Sequence, residues 1–171
     1  MSVFSYDAVS NGPTSFTTWA DLHAAMFGLR QVIVFVHKDL VISPGSWALP
    51  ESVVFVGART TFIPLQVQAQ GALTGLRQIR FEGLSVSFAG AGNSIIAQAA
   101  PFNTRLEAKD CVISVSNPVT DAVMYVDNAT ARVAEILLEN TQCINTPIAE
   151  LAGVNEVTVF SSDAPPAPPA D

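Results

Sequence analysis

Apolar and polar residues alternate with a period of two in six short stretches of the chain, residues 33–37, 53–57, 79–83, 106–110, 136–140 and 157–161. Their starting positions lie 20, 26, 27, 30 and 21 residues apart. That is the spacing of successive coils of a solenoid, whereas hairpins would recur at about half that distance. Side chains on a strand point alternately to its two faces, so one column per face can be read off each repeat. The first positions, Ile33, Val53, Ile79, Leu106, Ile136 and Val157, and the third, Phe35, Phe55, Phe81, Ala108, Leu138 and Val159, are apolar throughout and are assigned to a narrow core. The second and fourth positions become charged from the third repeat onward, with Arg80, Glu82, Glu107, Lys109 and Glu139, and are assigned to solvent.

Each repeat ends on a turn-former or a polar residue, and Gly57, Gly83, Asp110 and Asn140 occupy one column. These residue types tolerate the left-handed backbone, which predicts a tight corner stacked in register. Second strands are expected at 61–63, 85–88, 112–115 and 143–144, and third strands at 94–97 and 123–126, completing a three-sided coil. Upstream, residues 17–28 read as a helix with Thr18 as its cap, Asp21 three positions on, Trp19, Leu22 and Met26 on one face, and Gly28 at its end. Such a helix would cover the first coil and keep its open edge from recruiting other strands. The domain reading is an N-terminal arm 1–16, a capping helix 17–29, a parallel solenoid 30–162 and a Pro- and Ala-rich extended tail 163–171.

Composition narrows the partners. Of 171 residues, 8 are Lys or Arg and 15 Asp or Glu, for a formal charge of −7. So few cations argue against nucleic acid and against anionic membrane surfaces. Only 13% of residues are charged and 49% are hydrophobic, so the exterior itself must be apolar in places. Trp47, Val54, Val56, Val67, Leu73 and Leu137 are assigned to that exterior, and a lateral partner is expected to cover them. Cys111 and Cys143 lack metal-site spacing and read as core residues. No signal segment or membrane span is read, so the Asn128-Ala129-Thr130 sequon is taken as chance.

Little chemistry is legible. Glu82 and Glu139 would stand two strands apart, roughly 10 Å, with Lys109 between them, a spacing within the range of an acid and base pair in glycoside hydrolysis. Together with Arg80 and Glu107 they read more simply as an alternating charge ladder. His37-Lys38-Asp39 pairs a histidine with an aspartate, but neighbouring strand residues face opposite ways and form no relay. His23 lies in the helix without a partner for metal binding. Gly90-Ala91-Gly92-Asn93 lacks the lysine and helix of a phosphate loop. Phe35, Phe55, Phe81, Phe62 and Phe88 are read as stacked core and not as a binding strip. No catalytic, cofactor-binding or metal-binding residue is assigned.

The order of helix lid, strand, polar corner and second strand over residues 16–162 resembles the pectate-lyase-like superfamily of right-handed parallel β-helices. The resemblance implies an all-β fold, a short right-handed parallel β-helix of about five coils with an N-terminal capping helix. The stretch Asn11-Gly12-Pro13-Thr14-Ser15 lacks the paired acids that precede the lid in many of these proteins, which argues against an enzymatic branch. Similar short solenoids act in virions as parallel trimers. The resemblance therefore implies a homotrimer, with the major capsid protein as partner, on the capsid exterior of a bacteriophage after assembly in the host cytoplasm. The expectation is a non-enzymatic head decoration, or cement, protein that needs no cofactor. The alternative is a tailspike or tail-fibre domain that binds or cleaves host polysaccharide through Glu82, Glu107, Asp110 or Glu139.

Overall fold

A computed structural model of the protein describes residues 1–10, 12–58, 64–89, 95–97, 104–116, 123–127, 133–144, 149–152 and 156–161. The chain begins with β1 (Ser2–Tyr6), β2 (Ser15–Phe16) and α1 (Trp19–Met26). It then circulates through three sheets in a constant order. The first two circuits are β3 (Gln31–Val36), β4 (Leu40–Ile42), β5 (Ser46–Ala48), and β6 (Ser52–Gly57), β7 (Leu65–Ala69), β8 (Ala72–Thr74). Next come β9 (Gln78–Glu82), β10 (Leu84–Phe88), β11 (Ile95–Ala97), and β12 (Thr104–Lys109), β13 (Val112–Val115), β14 (Met124–Asp127). The series ends with β15 (Val133–Glu139), β16 (Gln142–Ile144), β17 (Ala149–Ala152) and β18 (Glu156–Ser161).

Among the described residues these strands form an eight-stranded sheet in the order β18-β15-β12-β9-β6-β3-β1-β2 and two five-stranded sheets, β16-β13-β10-β7-β4 and β17-β14-β11-β8-β5. The ladders are parallel, each strand pairing with the one a full circuit away. Parallel neighbours require a crossover, and here the other two sides of each coil supply it. The fold is an all-β parallel β-solenoid.

Its core is the inward side of those ladders. Val32, Val53, Ile79, Leu106 and Ile136 form one column of the first sheet, and Val34, Phe55, Phe81, Ala108 and Leu138 the next, all buried. Phe55 and Phe81 stack with centroids 5.6 Å apart and planes 13° from parallel. Leu40, Val67, Val86 and Ile113 face them from the second sheet.

This register corrects the expected columns in the first coil. Val32, not Ile33, aligns with Val53, so Phe35 points outward and is 40% exposed. Residues 32–36 are all apolar, so they offer no period-two contrast from which to choose a phase, and a slip of one residue inverts every side chain. In the last strand Val159, not Val157, pairs with Ile136, a shift of two residues in register. Val67 and Leu73, assigned to the exterior, are fully buried in β7 and β8. The second strand expected at 61–63 falls outside the described residues; the strand of that coil is β7.

The corner column holds for three of its four members. Gly83, Asp110 and Asn140 take φ values of 65°, 51° and 47°. Gly57 does not, and its reason is proximity: a Cβ there would lie 2.4 Å from the Gly83 carbonyl oxygen.

Residues 1–16, expected as an arm, supply β1 and β2, and β1 pairs with β3 from Ser2↔Val32 to Tyr6↔Val36. The helix forms as expected, with Thr18 accepting from the Asp21 amide at 3.3 Å, Trp19, Leu22 and Met26 buried, and Gly28 at φ 77° after it. It packs on β2 and β4, and its His23 Nε2 lies 2.9 Å from the Ala48 carbonyl oxygen. Thus α1 covers the end of the solenoid where the second and third sheets begin.

Candidate functional site

The first sheet presents a broad outward face, and ladder register determines what shares it. One column runs Val3, Ile33, Val54, Arg80, Glu107, Leu137. Beside it run Ser5, Phe35, Val56, Glu82, Lys109, Glu139, and on the other side Gln31, Ser52, Gln78, Arg105, Glu135. The face therefore divides into an apolar strip on β1, β3 and β6 and a charged band on β9, β12 and β15. Val3 is 46% exposed, while Ile33, Val54 and Val56 are half-buried by their neighbours.

The charged band is an ion-pair ladder. Arg80 reaches Glu82 at 3.0 Å and Glu107 at 3.7 Å. Arg105 reaches Glu107 at 2.9 Å and Glu135 at 3.9 Å, and Lys109 reaches Glu139 at 2.7 Å. Gln78 Nε2 also donates to Glu107 at 2.9 Å. The hydrogen bond to Glu139 and that residue's negative charge hold the Lys109 ammonium pKa above its ordinary value. Lys109 does stand between Glu82 and Glu139 in register, as the pattern predicts. Each of these carboxylates faces a cation across a ladder rung, an arrangement that secures neighbouring strands to one another. Asp110 lies off the face at the corner and accepts from Asn140.

His37 meets an aspartate, but a different one from that expected. It stands 4.0 Å from Asp7 Oδ1, while Asp39 accepts from the Gln66 amide at 2.9 Å. Asp7 Oδ2 accepts from Ser5 Oγ at 2.6 Å and Ser15 Oγ at 2.7 Å, which ties β1 to β2. The Ser5 hydrogen bond first, then that from Ser15 and the charges of His37 and Lys38, outweigh partial burial and lower the Asp7 pKa. Reading the sequence by repeats missed this cluster, because Asp7 precedes the first repeat. The placement of Ser5 and Asp7 on either side of Tyr6, two positions apart, was its local sign.

His23 packs edge-on to Trp47, centroids 4.9 Å apart, within the seam between α1 and β5. Cys111 is buried, which raises its thiol pKa, and Cys143 is half-buried. A groove of about 590 Å³ opens beside β1, β3 and β6, where Arg30 and Arg77 converge on Glu51 at 3.1 and 3.7 Å. Among the described residues no group of three His, Cys, Asp or Glu is placed to hold a metal ion, and no helix is long and apolar enough to cross a membrane. Gly90-Ala91-Gly92-Asn93, Phe62, the sequon and the tail lie outside the described residues.

The fold and this face define the class as a parallel β-solenoid with a two-zone outward sheet. No family model, curated protein or solved structure matches the chain.

Proposed function

We propose that the protein is a structural component of a bacteriophage particle: a trimeric head decoration protein that stabilises the capsid by bridging subunits of the major capsid protein. The observation that carries this reading is the apolar strip of Val3, Ile33, Phe35, Val54 and Val56 on contiguous strands of one face. Monomers rarely leave such a contiguous patch in water. The phage setting and the threefold rest on the resemblance to short virion β-helices. A decoration protein requires no reaction. It works by burying surface across subunit boundaries, so that a capsid must break those contacts before it opens. The ion-paired state of Glu82, Glu107 and Glu139 favours this role over cleavage of polysaccharide.

The test is the solution mass of the purified protein by light scattering, followed by sedimentation with empty phage heads. A mass of three chains and co-sedimentation with heads support the proposal. A monomer that stays in the supernatant overturns it, as would capsids lacking the protein that survive heat and low salt as well as complete ones.

A further inference from the structure

We infer that the outward face of the first sheet is the surface on which copies of this chain pack, side by side and with their solenoid axes pointing the same way. This rests on the reading above only in taking the protein to self-associate.

Three observations identify the occupant as a second copy. First, the strip is wide as well as long: Ile33 neighbours Val54 and Phe35 neighbours Val56 on paired strands, so it is a surface and not scattered residues. The second sheet makes the contrast. Its outward columns, Gln66, Ser85, Val112, Gln142 and Val41, Gln68, Ser87, Ser114, Ile144, place each apolar residue beside polar ones. Second, the face is nearly neutral. Its ladder holds Arg80, Arg105 and Lys109 against Glu82, Glu107, Glu135 and Glu139, so it bears only one of the chain's seven net negative charges. Two copies of an acidic chain meet there with the least repulsion.

Third, the zoning selects the direction. With parallel axes, every strand level of one copy faces the same level of its neighbour. Apolar levels then meet apolar levels and charged levels meet charged levels, so that no charge is set against the apolar strip. With antiparallel axes, matching strip to strip leaves both charged bands overhanging the partner and uncovered. Parallel packing alone brings like zones together along the whole length of the face, about a twofold or a threefold axis parallel to the solenoids.

Val54 and Leu137 lie in one register column, three strand steps apart, which makes them reporters of direction. Val54→Cys and Leu137→Cys, each made with Cys143→Ser, are exposed to a mild oxidant and run on non-reducing gels. In parallel, the mass of Phe35→Arg is measured with circular dichroism as the folding control and Val41→Arg as the surface control. The expected result is a disulfide between identical residues of two copies in both cysteine variants, with Phe35→Arg reduced to a single chain and Val41→Arg unchanged. Cross-linking through Val54→Cys without Leu137→Cys overturns the parallel arrangement. An oligomer that survives Phe35→Arg, or dissociates with Val41→Arg, overturns the assigned face and leaves self-association standing. The small cysteine variants keep the test decisive even where the arginine variant unfolds. A monomeric parent overturns this inference, whereas a parent that cross-links as expected but ignores phage heads overturns only the decoration role.

Discussion

Asn140 donates a hydrogen bond of 2.6 Å from its Nδ2 to Asp110 Oδ1, joining two successive corners of the solenoid that both take the left-handed backbone. The pair shows how the corner column works: side chains that tolerate positive φ also bridge one coil to the next. Asn140→Ala loses the bridge and strains the corner, whereas Asn140→Gly loses the bridge without that strain. The alanine variant should be less stable than the glycine variant by about 1 kcal/mol in urea unfolding. Equal stabilities would remove backbone conformation as the reason for asparagine there.

The corrected register separates two phenylalanines that the sequence pattern had grouped. Phe81→Ala opens a cavity beside Phe55 and should cost about 3–5 kcal/mol. Phe35→Ala faces outward and should cost under about 1 kcal/mol within an isolated chain. Denaturant midpoints of the two variants decide the matter, and a large loss for Phe35 alone would return the first coil to the other phase.

At Gly57 the backbone of the next coil leaves no room, since an added Cβ would stand 2.4 Å from the Gly83 carbonyl oxygen and 2.9 Å from Leu84 Cδ2. Gly57→Ala should therefore destabilise by more than about 2 kcal/mol although its φ is unexceptional. A thermal melt within a degree or two of the parent would contradict that packing.

Asp7 links stability to pH. Its pKa is lowered in the folded chain by the Ser5 and Ser15 hydrogen bonds and by the charges of His37 and Lys38. Its contribution is thus present above the unfolded value of about 4 and is lost as pH falls through the folded one. Urea midpoints measured downward from about pH 6 should decline below about pH 4. Asp7→Asn should show a shallower decline, and a parallel curve would exclude Asp7 as a source.

Position within the charge ladder should set the worth of each carboxylate. The Glu107 side chain is only 14% exposed and faces Arg80, Arg105 and Gln78, whereas that of Glu139 is 55% exposed beside Lys109. Glu107→Gln is expected to cost about 1 kcal/mol and Glu139→Gln less than about 0.5, both differences shrinking in concentrated salt. The reverse ranking in chemical unfolding would show that burial does not govern the ladder.

The repeat spacing, the left-handed corners, the helix with its Thr18 cap and the charge ladder were all legible in the sequence. Each depends on local preference or on period-two alternation, and both are written in residue order. Strand β7 was not read and Val67 and Leu73 were put outside, because short strands among Gln and Ala carry little contrast. The face of Phe35 was inverted because residues 32–36 are apolar on both sides.

The amino-acid order therefore determined the architecture: a polar corner every 20 to 30 residues, with alternating strands between, stacks into a parallel solenoid. Only the tertiary structure decided core against surface in the first coil, where Val32 and Val34 are buried and Phe35 faces outward, and at Val67 and Leu73. Once every position of a strand is apolar, facing depends on where the corner ends and on pairing with the neighbouring coil. The closeness of Asp7 to His37 and the apolar strip of Ile33, Phe35, Val54 and Val56 were settled in the same way, by contacts between strands distant in sequence.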